Sequence, residues 1–152
     1  MALRIELPAF GDGQPIPAEF TCEGENHSPE VRWSGLPPGT QSLALVMDDP
    51  DAPSGTWNHW LLWDIPARLG GLATGHPLHS PFRSGTNDFG KTGYGGPCPP
   101  HGHGPHRYFF RLYALDVETL GVPAGARRIT LDRALARHTL AHVEYRGVYE
   151  RK

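Results

Sequence analysis

The chain carries only two cysteines, Cys22 and Cys98, among its 152 residues. Two so widely separated do not read as a disulfide framework, and either can be a free thiol. Basic residues are not in excess: 14 Lys and Arg stand against 16 Asp and Glu, a formal charge of -2. A nucleic-acid-binding domain normally shows a basic surplus on one face, so no nucleic-acid partner is expected. No run approaches the roughly 20 apolar residues of a membrane span, so no stable membrane insertion is expected. The opening residues MALRIELPAFGDG lack a basic start followed by a long apolar core. They do not read as a leader peptide, and the expectation is a cytoplasmic location. Neither an internal repeat nor a linker is visible. One domain spanning 1–152 is expected, long enough to bury a core without disulfides or metals.

What the chain has in plenty is glycine (19), proline (16) and histidine (9). Gly and Pro together make up nearly a quarter of it, against an ordinary share of about 12%. They fall between segments with clear apolar patterns, which predicts long structured loops rather than disorder.

Leu3, Ile5 and Leu7 alternate with Arg4 and Glu6, the pattern of a half-buried strand. Short strands are possible at Phe20 and at 31–33. Residues 42–47, SLALVM, form a continuous apolar run of strand length, as expected of a strand buried on both faces. Trp57 to Ile65 reads as another strand, with Trp57, His59 and Leu61 on one face and Asn58, Trp60 and Leu62 on the other. Residues 66–105 carry Gly and Pro throughout and read as an ordered, extended loop anchored by Phe82, Phe89 and Tyr94. Arg107 to Asp116 is a strong strand. His106, Tyr108, Phe110 and Leu112 fall on one face, Arg107, Phe109, Arg111 and Tyr113 on the other. Thr130 is placed to cap a helix over 131–140, with Arg137 and His138 near its C-terminal end. Val143, Tyr145, Gly147 and Tyr149 alternate in a closing strand. The expected fold is mostly β: an antiparallel sheet or sandwich with a small helical addition.

Three segments carry chemistry. DDPDAP at 48–53 sets three carboxylates just past a buried strand, where a scaffold concentrates binding groups. Its plain alternative is a solvated acidic turn. Trp57-Asn58-His59-Trp60 puts an imidazole inside an apolar strand, where it needs a partner or faces a cavity. Its plain alternative is a core histidine bonded to a carboxylate. GYGGPCPP at 93–100 continues through GHGPHRY at 102–108. Its glycines allow close backbone approach to a ligand and N–H groups aimed at an anion. Its plain alternative is a flexible loop with no ligand.

DDPDAP, GTWNHW and GYGGPCPP followed by GHGPHRYFFRLYALD, in this order and spacing, resemble the phosphatidylethanolamine-binding protein family. The likeness is to its short bacterial and archaeal branch, often labelled Raf-kinase-inhibitor-like. FTCEGENHSPEVRWSGLPPGTQSLALVMDDPDAP and the late HVEYRGVYER fit the same pattern, so the resemblance covers nearly the whole chain. It implies a central antiparallel sheet and a small pocket for phosphate, phosphorylated headgroups or similar anions. Carried onto matching positions, that pocket comprises Asp49, Asp51, Trp57, His59, Gly96, Pro99, His106 and Tyr108. Some relatives carry glycine where this chain has Cys98, whose thiol can narrow the pocket or make it redox-sensitive. The chain stops soon after the closing strand, without the longer C-terminal segment of animal members, which puts their kinase-inhibiting role in doubt here.

In physical terms His59 and His106 donate to anionic oxygens, and Asp49 and Asp51 orient the two rings or receive an ammonium. N–H groups around Gly95 and Gly96 complete an oxygen cage. No Arg is assigned to the pocket, which predicts modest affinity. His101, His103 and His106, with Cys98 and Asp49, offer zinc-type ligands, but the Gly- and Pro-separated loop does not fix a tetrahedron. No metal and no cofactor is expected, and His101 and His103 read as rim residues. There is no G-x-S-x-G elbow, HExxH or P-loop, so an enzyme is not expected. A hydrolase using the His/Asp pocket, or Cys98 with His106, is the alternative, as is a pure protein-interaction inhibitor of a kinase or protease. The resemblance leaves a homodimer open.

Overall fold

The computed structural model describes residues 2–77 and 81–152, so 78–80 of the long loop lie outside it. In chain order the elements are β1 (Arg4–Glu6), β2 (Gln14–Pro15), a 3-10 turn (Ala18–Phe20), β3 (Val31–Ser34), β4 (Ser42–Asp49), β5 (Trp57–Pro66), β6 (Gly71–Leu72), β7 (Arg83–Ser84), β8 (His106–Leu115), α1 (Arg128–His138) and β9 (Thr139–Tyr149). They form a six-stranded sheet in the order β2-β9-β8-β4-β5-β7 and a three-stranded sheet in the order β1-β3-β6. Every pairing is antiparallel except β2 with β9. This is the mostly β architecture expected. Among the described residues no helix is long and apolar enough to cross a membrane.

β4 is the axis of the large sheet. All eight of its residues are buried, because both faces are covered. On the inner face Leu43, Leu45 and Met47 pack with Tyr108, Phe110 and Leu112 of β8 and with Ile5, Val31 and Trp33 of the small sheet. On the outer face Ala44 and Val46 meet Leu61, Trp63 and the helix residues Leu131 and Leu135. Each buried Leu or Met side chain contributes on the order of 1.5–3 kcal/mol.

The expected division of β5 into faces does not hold. Met47 pairs with Trp60 and Asp48 with Asn58, which leaves His59 as an extra residue. A bulge of this kind turns two consecutive side chains to one side. His59 therefore reaches the ring of Tyr108, centroids 5.3 Å apart, on the face that buries Trp60, and Leu61 goes to the outer core. β8 follows its pattern without interruption, and Arg107 lies opposite His106 as expected.

The helix begins three residues before the expected start. Its N-cap is Arg127, with no side-chain cap bond, and Thr130 lies within the first turn. Arg128 ties this end of the helix down in another way: its guanidinium donates to Asp132 one turn on and to Asp48 below. Arg137 and His138 do occupy the last turn. Leu140, expected with Leu131 and Leu135 to form an apolar stripe on the helix, belongs to β9 and is exposed. Phe20 lies in the 3-10 turn, not a strand. The long loop contributes the two-residue strands β6 and β7. Tyr94 anchors it, edge-on to Trp60 and donating to Phe20 O at 2.7 Å. Phe82 stacks on His76, whereas Phe89 is exposed.

The cysteines correct a further expectation. Cys22 and Cys98 are joined in a disulfide across 76 positions. Neither is a free thiol. Spacing in sequence could not show this, because loop packing brings the two together. Cys22 N–H donates to Pro97 O beside the bond.

Two predictions follow from this packing. Replacing both cysteines by Ser should lower the unfolding free energy by about 2–5 kcal/mol, as expected for a bond closing a long loop. An unchanged denaturant midpoint would show that the linkage contributes nothing. Asp48→Ala leaves two guanidiniums facing a buried gap and should cost about 3 kcal/mol. A loss below about 1 kcal/mol in chemical denaturation would mean that water replaces the carboxylate at little cost.

Candidate ligand-binding site

The last turn of β4 disposes of three carboxylates in three ways. Strand alternation sends Asp48 outward and Asp49 inward. Asp48 is 2% exposed and accepts from Arg111 Nε and Nη2 at 2.9 and 3.1 Å and from Arg128 Nη1 at 2.9 Å. Asp49, also buried, accepts from His106 Nδ1 at 2.7 Å and, on its other oxygen, from Asp51 N–H at 2.8 Å. Asp51 sits past the strand and takes Arg107, whose Nε and Nη2 each donate at 2.9 Å. That hydrogen-bonded guanidinium is the largest cause holding the Asp51 carboxyl down to about 2.

A cavity of about 210 Å³ opens between this turn, the bulge of β5 and the proline-rich loop. His106 and Tyr108 reach it from the start of β8, Trp57 and His59 from β5, Asp49 from β4, and Pro99 from the loop. Six of the eight residues expected at the pocket thus share one wall.

Asp51 and Gly96 do not. Asp51 is turned to Arg107, because a fork of two donors outcompetes an imidazole as its partner. Gly96 N–H donates to Asn26 Oδ1 at 2.8 Å. A Cβ at Gly96 would lie 2.1 Å from Phe20 O, so this glycine serves close loop packing. Gly95 N–H donates to His59 O at 2.9 Å, so the oxygen cage of backbone N–H groups expected at 95 and 96 is absent.

His59 is oriented by backbone, not by a carboxylate. Its Nδ1 lies 2.6 Å from Gly95 O. A carbonyl only accepts, so Nδ1 carries the proton and a neutral ring turns its Nε2 lone pair elsewhere. Burial holds this imidazole below its ordinary value, opposed by the Gly95 carbonyl and the Asp49 charge. A neutral ring is the resting form near pH 7.

Two donors on the same wall have no partner. Trp57 Nε1 and Tyr108 Oη are buried and make no hydrogen bond of good geometry, although the Asp49 carboxylate lies close enough to act on the phenol. Burial, then the charge of Asp49 and a loose contact with its carboxylate, pushes the Tyr108 phenol above its ordinary value, so the hydroxyl keeps its proton. A buried unpaired donor costs about 1–3 kcal/mol. Two beside one cavity mark a place for acceptor atoms.

Residue-type reasoning missed several wall groups. Ala52, Pro53, Ser54, Phe89 and Pro100 complete the lining. Phe89 looked like an anchor. Asn87, 1% exposed, instead holds it at the mouth, accepting from the N–H of Phe89 and of Lys91 at 3.0 and 3.2 Å. The Asn-Asp-Phe-Gly turn was the available signal. Cys98 lines the cavity as half of the disulfide, which fixes the wall covalently. His101 is a rim residue, bonded to Lys152 O and near Arg151. His103 is exposed but bonded to His106, Nδ1 to Nε2, at 2.6 Å. The one grouping with metal-like spacing among the described residues lies elsewhere: His27 between Glu19 and Glu25, where each ring nitrogen faces a carboxylate.

The chain matches the phosphatidylethanolamine-binding protein family over residues 6–150. It is 47% identical to a UPF0098 protein of Aquifex aeolicus over 152 residues, 98% of this chain and 89% of that one. A crystallised phosphatidylethanolamine-binding-protein homologue of Chlamydia trachomatis superposes with a TM-score of 0.91 at 35% identity, each chain covered to 99%. YbcL of Escherichia coli, described as a member of the mammalian family, gives 0.91 at 34% identity, with the same coverage. With its two-sheet fold and these relatives, the chain belongs to the phosphatidylethanolamine-binding protein family.

Proposed function

We propose that the cavity binds a small oxyanion, phosphate or the phosphate of a phosphorylated headgroup, and that the protein is a binding protein rather than an enzyme. The observation that carries this reading is the pair of unpartnered buried donors, Trp57 Nε1 and Tyr108 Oη, beside His59 in one cavity. An oxyanion offers several acceptor oxygens at once and satisfies both donors. A neutral apolar ligand would leave them unpaired.

The positive charge comes from His59. A bound anion favours the protonated ring, whose Nε2–H then donates to it. Binding is therefore linked to uptake of a proton. Among the described residues no guanidinium lines the cavity, which keeps affinity modest. The ammonium of an ethanolamine headgroup would have to share the one cavity carboxylate, Asp49, with His106 and the Asp51 N–H, while Asp51 is held by Arg107. The phosphate end, not the amine, is thus the recognised part.

Regulation of a kinase or protease has no corresponding groups in the cavity and rests on the family resemblance alone. As to location, a disulfide persists in oxidising compartments and is rare in the cytosol of mesophiles. The Cys22–Cys98 bond favours an oxidising setting over the cytoplasm.

The test is calorimetric titration with sulfate, whose charge is constant between pH 5.5 and 7.5. The free His59 titrates below its ordinary value, and the anion raises it in the complex. Affinity should therefore climb as pH falls, by at most about tenfold per unit for one linked proton. His59→Ala should flatten that dependence, and Tyr108→Phe should weaken binding about tenfold. Affinity that is independent of pH and of both substitutions would place the anion elsewhere and end this reading.

A further inference from the structure

His106 lines the cavity but does not offer it a free nitrogen. Its Nδ1 lies 2.7 Å from Asp49 Oδ2. The carboxylate accepts, so that nitrogen holds the proton and Nε2 holds a lone pair in the neutral ring. Nε2 lies 2.6 Å from His103 Nδ1, the rings being 4.8 Å apart and steeply inclined. With His106 neutral, His103 Nδ1–H donates, and the lone pair is taken.

The two ends of this bond are built differently. His106 is 2% exposed, in a strand, and locked to a buried carboxylate. His103 is an exposed residue between Gly102 and Gly104, both with positive φ, at 72° and 87°. A Cβ on either glycine would meet nothing within 4 Å, so the loop has room on both sides. The preceding residue, His101, is bridged to Arg151, and backbone bonds run from Gly102 to Arg151 and from His103 to Pro100, so the freedom lies in the His103 side chain and its glycine flanks. Glycine on each side gives this imidazole, which touches the cavity only through His106, a hinge that none of the lining residues possesses.

We infer that His103 is a removable stopper on His106, and that the ligand which replaces it is an oxyanion still carrying a proton. The inference rests on the anion reading of the cavity and narrows it. An exposed acceptor oxygen cannot bond to a lone pair, but a P–O–H group can donate to one. Hydrogen phosphate and dihydrogen phosphate have such a group, whereas sulfate near neutral pH has none. With His103 swung aside, Nε2 accepts from the P–O–H while Trp57, Tyr108 and His59 bind the unprotonated oxygens. The same nitrogen that closes the resting site thus selects phosphate chemistry over sulfate chemistry.

The experiment compares wild type with His103→Ala at pH 7, free and titrated separately with inorganic phosphate and with sulfate. In the free proteins, nitrogen-15 spectra of the His106 ring should show the Nε2 resonance shifted in the variant, since its donor is gone. Phosphate affinity should rise about three- to tenfold in the variant, because nothing has to be displaced, and sulfate affinity should not rise. An unmoved Nε2 resonance overturns the stopper whatever the ligands do. A shifted resonance with phosphate bound no more tightly, or with sulfate gaining equally, overturns the exchange and its selectivity while the anion site stands. Failure of both proteins to bind either anion overturns the anion reading and the exchange together.

Discussion

Two adjacent carboxylates at the end of a strand buried on both faces constrain most of what surrounds them. Asp48 and Asp49 cannot both face one side, and neither can be left unpaired at that depth without a penalty of several kcal/mol. The outer one draws Arg111 from the neighbouring strand and Arg128 from the helix, which fastens α1 across the sheet. The inner one draws His106 and sets the floor of the cavity. The same pairings that make the β4 terminus tolerable therefore dock the helix and orient the imidazole on opposite sides of one strand.

Around that floor the wall is held by linkages that do not depend on a ligand. His59 and Gly95 exchange hydrogen bonds, fixing the bulge to the loop. Pro97, Pro99 and Pro100 have no N–H to donate, so the backbone there cannot bind itself into a sheet. The disulfide at Cys98 and the bond from Arg151 Nε to Pro99 O at 2.7 Å anchor it from outside. Rigidity of this kind keeps donors in place while unpaired, which is what lets Trp57 and Tyr108 remain unsatisfied without the cavity collapsing on them.

The sequence made the large sheet legible because burial on both faces leaves an unbroken apolar run, as in β4, and burial on one leaves alternation, as in β8. It misplaced the faces of β5, since a bulge at His59 adds one residue without changing composition. It misjudged the start of α1 because Thr130 looks like a cap, whereas Arg128 takes hold of Asp48, a partner 80 positions away. At the site, the motifs matched to the family named six of the wall groups. They did not reveal their bonding: Asp51 turns to Arg107, Gly96 is packed against Phe20, and Cys98 is crosslinked. Each of these is decided by a contact distant in sequence, which neither periodicity nor motif order encodes.

The division between fixed and movable parts bears on how such a site discriminates. Donors held rigidly recognise any small oxyanion of suitable size, and so confer affinity with little selectivity. Selectivity needs a group whose bonding sense differs from theirs. Among the wall residues His106 is that group, because Asp49 commits its Nδ1 proton and leaves an acceptor at Nε2, whereas His59 takes up a proton with the anion and turns donor. Left open, such an acceptor would be a buried lone pair facing apolar rings and would carry its own penalty. His103 removes that penalty at rest, and its glycine hinges make the contact reversible. An acceptor masked by the protein's own side chain, and kept an acceptor by Asp49 when the anion binds, is the feature through which the cavity can distinguish a protonated oxyanion from an unprotonated one.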